Sequence, residues 1–133
     1  MSITVEMILR LLLASALGAV IGYQREKAGK QAGLRTHVLI CVGAALFAII
    51  SAYGFGAASD PARIAAGIVV GVGFIGAGVI LHREGGGVAG LTTAATIWAV
   101  AGIGLAAGAG LYIVSAVATV IILGVLFIPH SIG

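Results

Sequence analysis

Gly71–Ile80 reads GVGFIGAGVI, and its first six residues match G-x-G-x-x-G, the fingerprint of a dinucleotide-binding turn. That turn needs a strand before it, a helix after it and an acidic residue about 20 positions on to hold a ribose. The residues at that distance are Gly90, Leu91, Thr92 and Thr93, with no acid among them. Glycines also run on through Gly67, Gly71, Gly73, Gly76 and Gly78, which a phosphate turn does not require. The motif is a nucleotide fingerprint in appearance only.

Working outward, the whole chain is as apolar as this stretch. Its 133 residues are 61% hydrophobic and 8% charged, with a mean hydropathy of +1.24. Soluble domains average about 25% charged residues. Several runs approach or exceed the roughly 20 apolar residues that span a bilayer. In lipid every backbone group must be satisfied internally, so spans are helices or closed barrels. The runs are continuous rather than alternating, which selects helices. The expected fold is an all-α polytopic membrane bundle in a single transmembrane domain, 1–133. Its five apolar segments run from Ile3 to Tyr23, Leu34 to Tyr53, Pro61 to Leu81, Leu91 to Ala107 and Leu111 to Ile128. Ala14-Ser15-Ala16 resembles a cleavage site, but the apolar run before it is too short for a signal peptide, so the first segment is read as a retained helix.

In that setting GVGFIGAGVI is a close-packing helix. Small residues four apart let neighbouring helices approach. Gly67, Gly71, Gly73, Gly76 and Gly78 occupy several faces, which places the third helix at the centre of the bundle. The second reading of these glycines is a path for a ligand or ion. Cys41 alone allows neither an intrachain disulfide nor a cysteine metal site.

Lysine and arginine set the orientation. The first connection holds Arg25, Lys27, Lys30 and Arg35, and the third adds Arg83, against Arg63 and Arg10 on the other side. The positive-inside bias puts both basic connections in the cytoplasm. The N-terminus is then outside and the C-terminus cytoplasmic.

These two connections resemble each other. From Gly18 and from Gly76, with one gap, both carry Gly-Ala, Arg-Glu and Ala-Gly-Leu-x-Thr. The Arg-Glu match uses four of only eleven charged residues. We read this as an internal duplication of a two-helix unit, with its axis along the membrane normal. The fifth helix is left over, at the periphery.

Candidate functional residues follow, each with two readings. Glu26 and Glu84 are the duplicated carboxylates. They either face one divalent cation, as magnesium takes one or two carboxylates and keeps its waters, or, with Arg25 and Arg83, are solvated loop charges or cross-paired salt bridges between the two loops. Asp60, before Pro61 and near Arg63, is a helix N-cap or an outer attraction point for a cation. Glu6 and Arg10 form either an i,i+4 pair with Arg10 snorkelling outward, or part of an ion path, since intramembrane charges face protein or water. Thr36 and Thr93 are expected to cap the second and fourth helices. Arg35 supports the first basic connection. His37, His82 and His130 show no ligand spacing, and Trp98 is assigned to packing. No catalytic constellation and no phosphate loop is present, so no enzyme activity is expected.

AGLRTHVLICVGAALF, DPARIAAG, GVGFIGAGVIL and GLTTAATIWAVAGIGLA together resemble the MgtC/SapB family of bacterial inner-membrane proteins, from about Arg10 to Tyr112. The resemblance implies a multi-helix membrane domain linked to magnesium homeostasis. Two departures thin its cytoplasmic charge: Gln24 stands where members often have glutamate, and Ala89 where many have a basic residue. Longer members carry a soluble C-terminal domain, which this sequence, stopping at Gly133, is expected to lack. Three functions are compatible with these readings: moving or sensing a divalent cation, with Mg2+ the ion; regulating another membrane complex through the helices; and transport of another small solute. Expected partners are membrane lipid, a second copy in a dimer and another membrane protein, with no nucleic acid.

Overall fold

The computed structural model describes residues 2–56, 60–83 and 87–129, with the backbone alone at 81–83 and 87. Among them, five helices and one hairpin follow in the order α1 (Ile3–Lys27), α2 (Leu34–Tyr53), α3 (Pro61–Val79), β1 (Leu81–Arg83), β2 (Gly87–Ala89), α4 (Leu91–Gly108) and α5 (Tyr112–Leu126). Helices α1 to α4 are long and apolar enough to cross a membrane. The 15 residues of α5 rise roughly 22 Å, short of the hydrocarbon thickness. The molecule is an all-α membrane bundle, as its composition requires.

Two boundaries differ from expectation. Helix α1 continues past Tyr23 to Lys27, so Arg25 and Glu26 are helical rather than loop residues. Gln24, Arg25, Glu26 and Lys27 are good helix formers, and the chain turns only at Ala28-Gly29. The second basic connection is instead an antiparallel hairpin with Leu81 opposite Ala89 and Arg83 opposite Gly87.

The centre is also different. Helix α3 is the most exposed candidate span, with 17% of its window buried, whereas α4 has 50% and α2 39%. Among the described residues a Cβ built at Gly67, Gly71, Gly73 or Gly78 meets nothing within 4 Å, and one at Gly76 reaches only Ala94. The expected central place of α3 is therefore corrected, and of these glycines Gly76 alone packs on a neighbouring helix among the described residues, against Ala94 of α4. Close approach is made by other glycines. Gly104 and Gly108 of α4 lie against the α2 backbone at Cys41 and Ala45, so tightly that a Cβ would strike main-chain oxygen. Gly18 and Gly22 bring α1 onto α2 in the same way. The spacing i, i+4 recurs in both pairs, as small-residue packing between membrane helices demands.

The core divides in two. Ala14 and Ile21 of α1, Cys41 and Ala45 of α2, and Val100, Ile103 and Ala107 of α4 form one cluster, against which α5 packs with Ala118 and Ile122. Ala44 of α2, Ile68 and Val72 of α3, and Ile97 and Ala101 of α4 form the other. Trp98 takes part in neither: it is 56% exposed on the outer face of α4.

The packing pattern bears on the duplication. α1 packs on α2 as α3 packs on α4; α2 meets α3 as α4 meets α1; and α2 and α4 meet each other. Exchanging the two units leaves this set unchanged. Gly18 lies against the backbone of His37, and Gly76, its counterpart, lies against Ala94, the counterpart of His37. Both second helices start after the same Ala-Gly pair, at Leu34 and at Leu91.

Candidate functional site

Charged and polar side chains gather at the two ends of the bundle. At the end where α1 begins, Arg10 is 7% exposed and fully engaged. Its Nη2 donates to Glu6 Oε1 at 2.9 Å, its Nη1 to the Gly108 carbonyl at 3.0 Å and its Nε to Tyr112 Oη at 3.1 Å. Tyr112 Oη donates in turn to Glu6 Oε1 at 3.0 Å. The guanidinium also lies 5.5 Å from the Tyr53 ring centre. Arg10 thus turns inward and ties α1 to the α4–α5 turn, rather than snorkelling to the surface. A planar five-donor head suits this fan of acceptors. Gly110, at φ 87°, lies directly under it, where a Cβ would come within 2.9 Å of Nη2.

Asp60 stands at the same end. Its carboxylate accepts from the Ala62 N–H at 3.0 Å with Pro61 in the first turn, so it caps α3. Arg63 is exposed. Ser51 Oγ donates to the Pro61 carbonyl at 2.6 Å and fastens the end of α2 to the start of α3.

At the opposite, basic end, Arg25 is 3% exposed and donates through Nη2 to Thr93 Oγ1 at 2.8 Å. His37 is fully buried, and its Nδ1–H donates to the Gly33 carbonyl at 2.8 Å. Arg25 Nε, His37 Nε2 and Gln24 Oε1 are buried without a hydrogen-bond partner among the described residues. Glu26 is exposed and bends back over Gly33, its Oε1 3.4 Å from the Leu34 N–H. A carboxylate at a helix N-terminus is favoured by the unpaired N–H groups there, and Gly33 leaves room for it.

The threonine caps are a second correction. The N-caps of α2 and α4 are Gly33 and Gly90, and neither supplies a side-chain cap. Thr36 and Thr93 sit one turn inside, and Thr93 serves as the acceptor for Arg25. Arg35 is exposed. Glu84 lies outside the described residues, as does the side chain of Arg83, so the meeting of Glu26 with Glu84 has no geometry here. Among the described residues no group of three or more His, Cys, Asp or Glu is placed to hold a metal.

Sequence reasoning missed Tyr53 and Tyr112 as partners of Arg10; its reading of the histidines as hydrogen-bonding residues rather than metal ligands fits His37. One signal was legible: Tyr112 follows directly on the turn that brings α5 back to the level of Arg10.

These features define a multi-pass membrane protein whose helices are locked by polar clusters at either end. The chain belongs to the MgtC family, whose model matches residues 11–133. It is 49% identical over 136 residues to a protein of Escherichia coli K12 named "Putative magnesium transporter YhiD", covering 97% of this chain and 63% of that one. It is 50% identical over 112 residues to Protein MgtC of Brucella abortus, covering 84% of this chain and 46% of the relative. With Protein MgtC of Salmonella typhimurium the identity is 51% over 116 residues, covering 87% and 49%. The chain therefore spans about half to two-thirds of the length of these relatives. No solved structure matches it.

Proposed function

We propose that this chain is the membrane domain of a magnesium-homeostasis protein of the bacterial inner membrane, acting as a regulatory module rather than as the conduit for the ion. The link to magnesium rests on family membership and on the name carried by the E. coli relative. The regulatory reading rests on how the described carboxylates are used. Glu6 is held by Arg10 and Tyr112, Asp60 caps α3 and Glu26 covers the start of α2. A conduit needs oxygen ligands free to exchange with a hydrated cation, whereas these three do structural work. The glycine face of α3 stays open instead, a surface shaped for another helix.

The test is cation flux in liposomes holding only this protein and an Mg2+-sensitive dye. The expected result is no uptake above protein-free liposomes at any magnesium gradient. Uptake that saturates with magnesium and falls with Glu26→Gln would restore the transport reading.

A further inference from the structure

The groove between the basic end of α1 and the last turns of α5 takes no part in the bonds of either polar cluster. It has a volume of about 480 Å³, and its walls are Val20, Tyr23, Gln24 and Ala28 on one side and Leu123 and Phe127 on the other. Lys27 lies on its rim, with Nζ 5.6 Å from the centre of the Tyr23 ring. Glu26, the neighbouring acid, is turned towards Gly33 on α2.

We propose that this groove is a binding site for an anionic phospholipid, with one acyl chain between α1 and α5 and the phosphate on Lys27. Three observations carry it. Apart from Gln24 the walls are apolar and come from two helices, so they match a hydrocarbon chain running along the bundle. The one charge among the lining residues is positive and sits at the end of α1, which is headgroup depth for a helix that spans the bilayer. Val20, Tyr23 and Phe127 are exposed, so the groove opens onto the face that lipid covers. Basic pockets between membrane helices on the cytoplasmic side select acidic headgroups. The charge bias places this end in the cytoplasm. An aromatic ring beside the ammonium holds the lysine stem against the wall, leaving its head for the phosphate. This site does not depend on whether the protein moves an ion.

The experiment is native mass spectrometry of the detergent-purified chain, titrated with phosphatidylglycerol or with phosphatidylcholine of the same acyl chains. The wild type should hold one phosphatidylglycerol about fivefold more strongly than phosphatidylcholine, the ratio expected from one lysine at a membrane surface. Lys27→Gln should reduce that ratio to near one, Lys27→Arg should keep it, and Arg35→Gln should leave it unchanged. Leu123→Trp, which fills the groove, should lower binding of both lipids. Equal retention of the two lipids by the wild type would overturn the proposal. So would a preference that survives Lys27→Gln, or one that Arg35→Gln abolishes equally. A peptide helix that occupies the groove and is not displaced by phosphatidylglycerol would also overturn it. Each variant is first checked for an unchanged melting temperature without added lipid. If Leu123→Trp does not fold, Lys27→Gln against Lys27→Arg decides alone.

Discussion

Arg25 donates to Thr93 Oγ1 across the contact of α1 with α4, and the register of that bond repeats at the far end of the same two helices. There Arg10 donates to the Gly108 carbonyl. The two arginines are fifteen residues apart on α1, and their acceptors are fifteen residues apart on α4. The antiparallel pair is therefore clamped at both ends, roughly 22 Å apart. A slip by one turn would break both bonds together, leaving Arg25 buried without its acceptor and Arg10 with only Glu6 of its own helix.

The inner clamp is tested by Thr93→Val, which keeps the shape and removes the acceptor. Leaving a buried charged donor short of a partner costs about 1.5–3 kcal/mol. Thr36→Val, at the equivalent place in α2, removes no side-chain bond among those described and should cost well under 1 kcal/mol by the usual range for such sites. Melting of both variants in one detergent is the measurement. Equal shifts would show that the Arg25–Thr93 bond carries no special weight.

The outer clamp predicts non-additivity. Arg10→Met removes the bonds to Glu6, Gly108 and Tyr112 together, leaves Glu6 beside Tyr112 without its cation, and should lower the melting temperature. Glu6→Gln combined with Arg10→Met should be milder than the sum of the single changes, because the stranded charge is removed. A double-mutant cycle in thermal melting reads the difference, and strict additivity would refute the coupling.

For the glycines, the structure reverses the expectation drawn from GVGFIGAGVI. Gly104→Leu should abolish the folded monomer, since any side chain there meets the α2 backbone at Cys41. Gly71→Leu should fold normally, because that face is open. Size-exclusion profiles of fluorescent fusions separate the two. If α3 docks on another membrane helix, Gly71→Leu should weaken that association and leave the profile intact.

Topology is open to cysteine labelling on a Cys41→Ala background; Cys41 itself is fully buried. Lys30→Cys should react only after the membrane is permeabilised, and Phe55→Cys should react from outside. Labelling of Lys30→Cys in intact cells would reject the positive-inside assignment.

The apolar runs and the scarcity of charge settled by themselves that this is a helical membrane protein, and roughly where its five apolar helices lie. Those properties depend on burial of backbone and on local hydrophobicity, which are written residue by residue. Asp60-Pro61 as the start of α3 was legible for the same reason, since capping is local. The repeated Ala-Gly-Leu-x-Thr pointed to like helix starts at Leu34 and Leu91, though not to the atoms that serve them. Only the tertiary structure decided which glycines are used. Gly67 and Gly71 have the same spacing as Gly104 and Gly108, and spacing cannot say which face meets another helix. It also decided that Arg10 turns inward and that Arg25 is buried. Those outcomes depend on Tyr53, Thr93, Gly108 and Tyr112, which lie far away in the chain and come within reach only once α2, α4 and α5 are packed on α1.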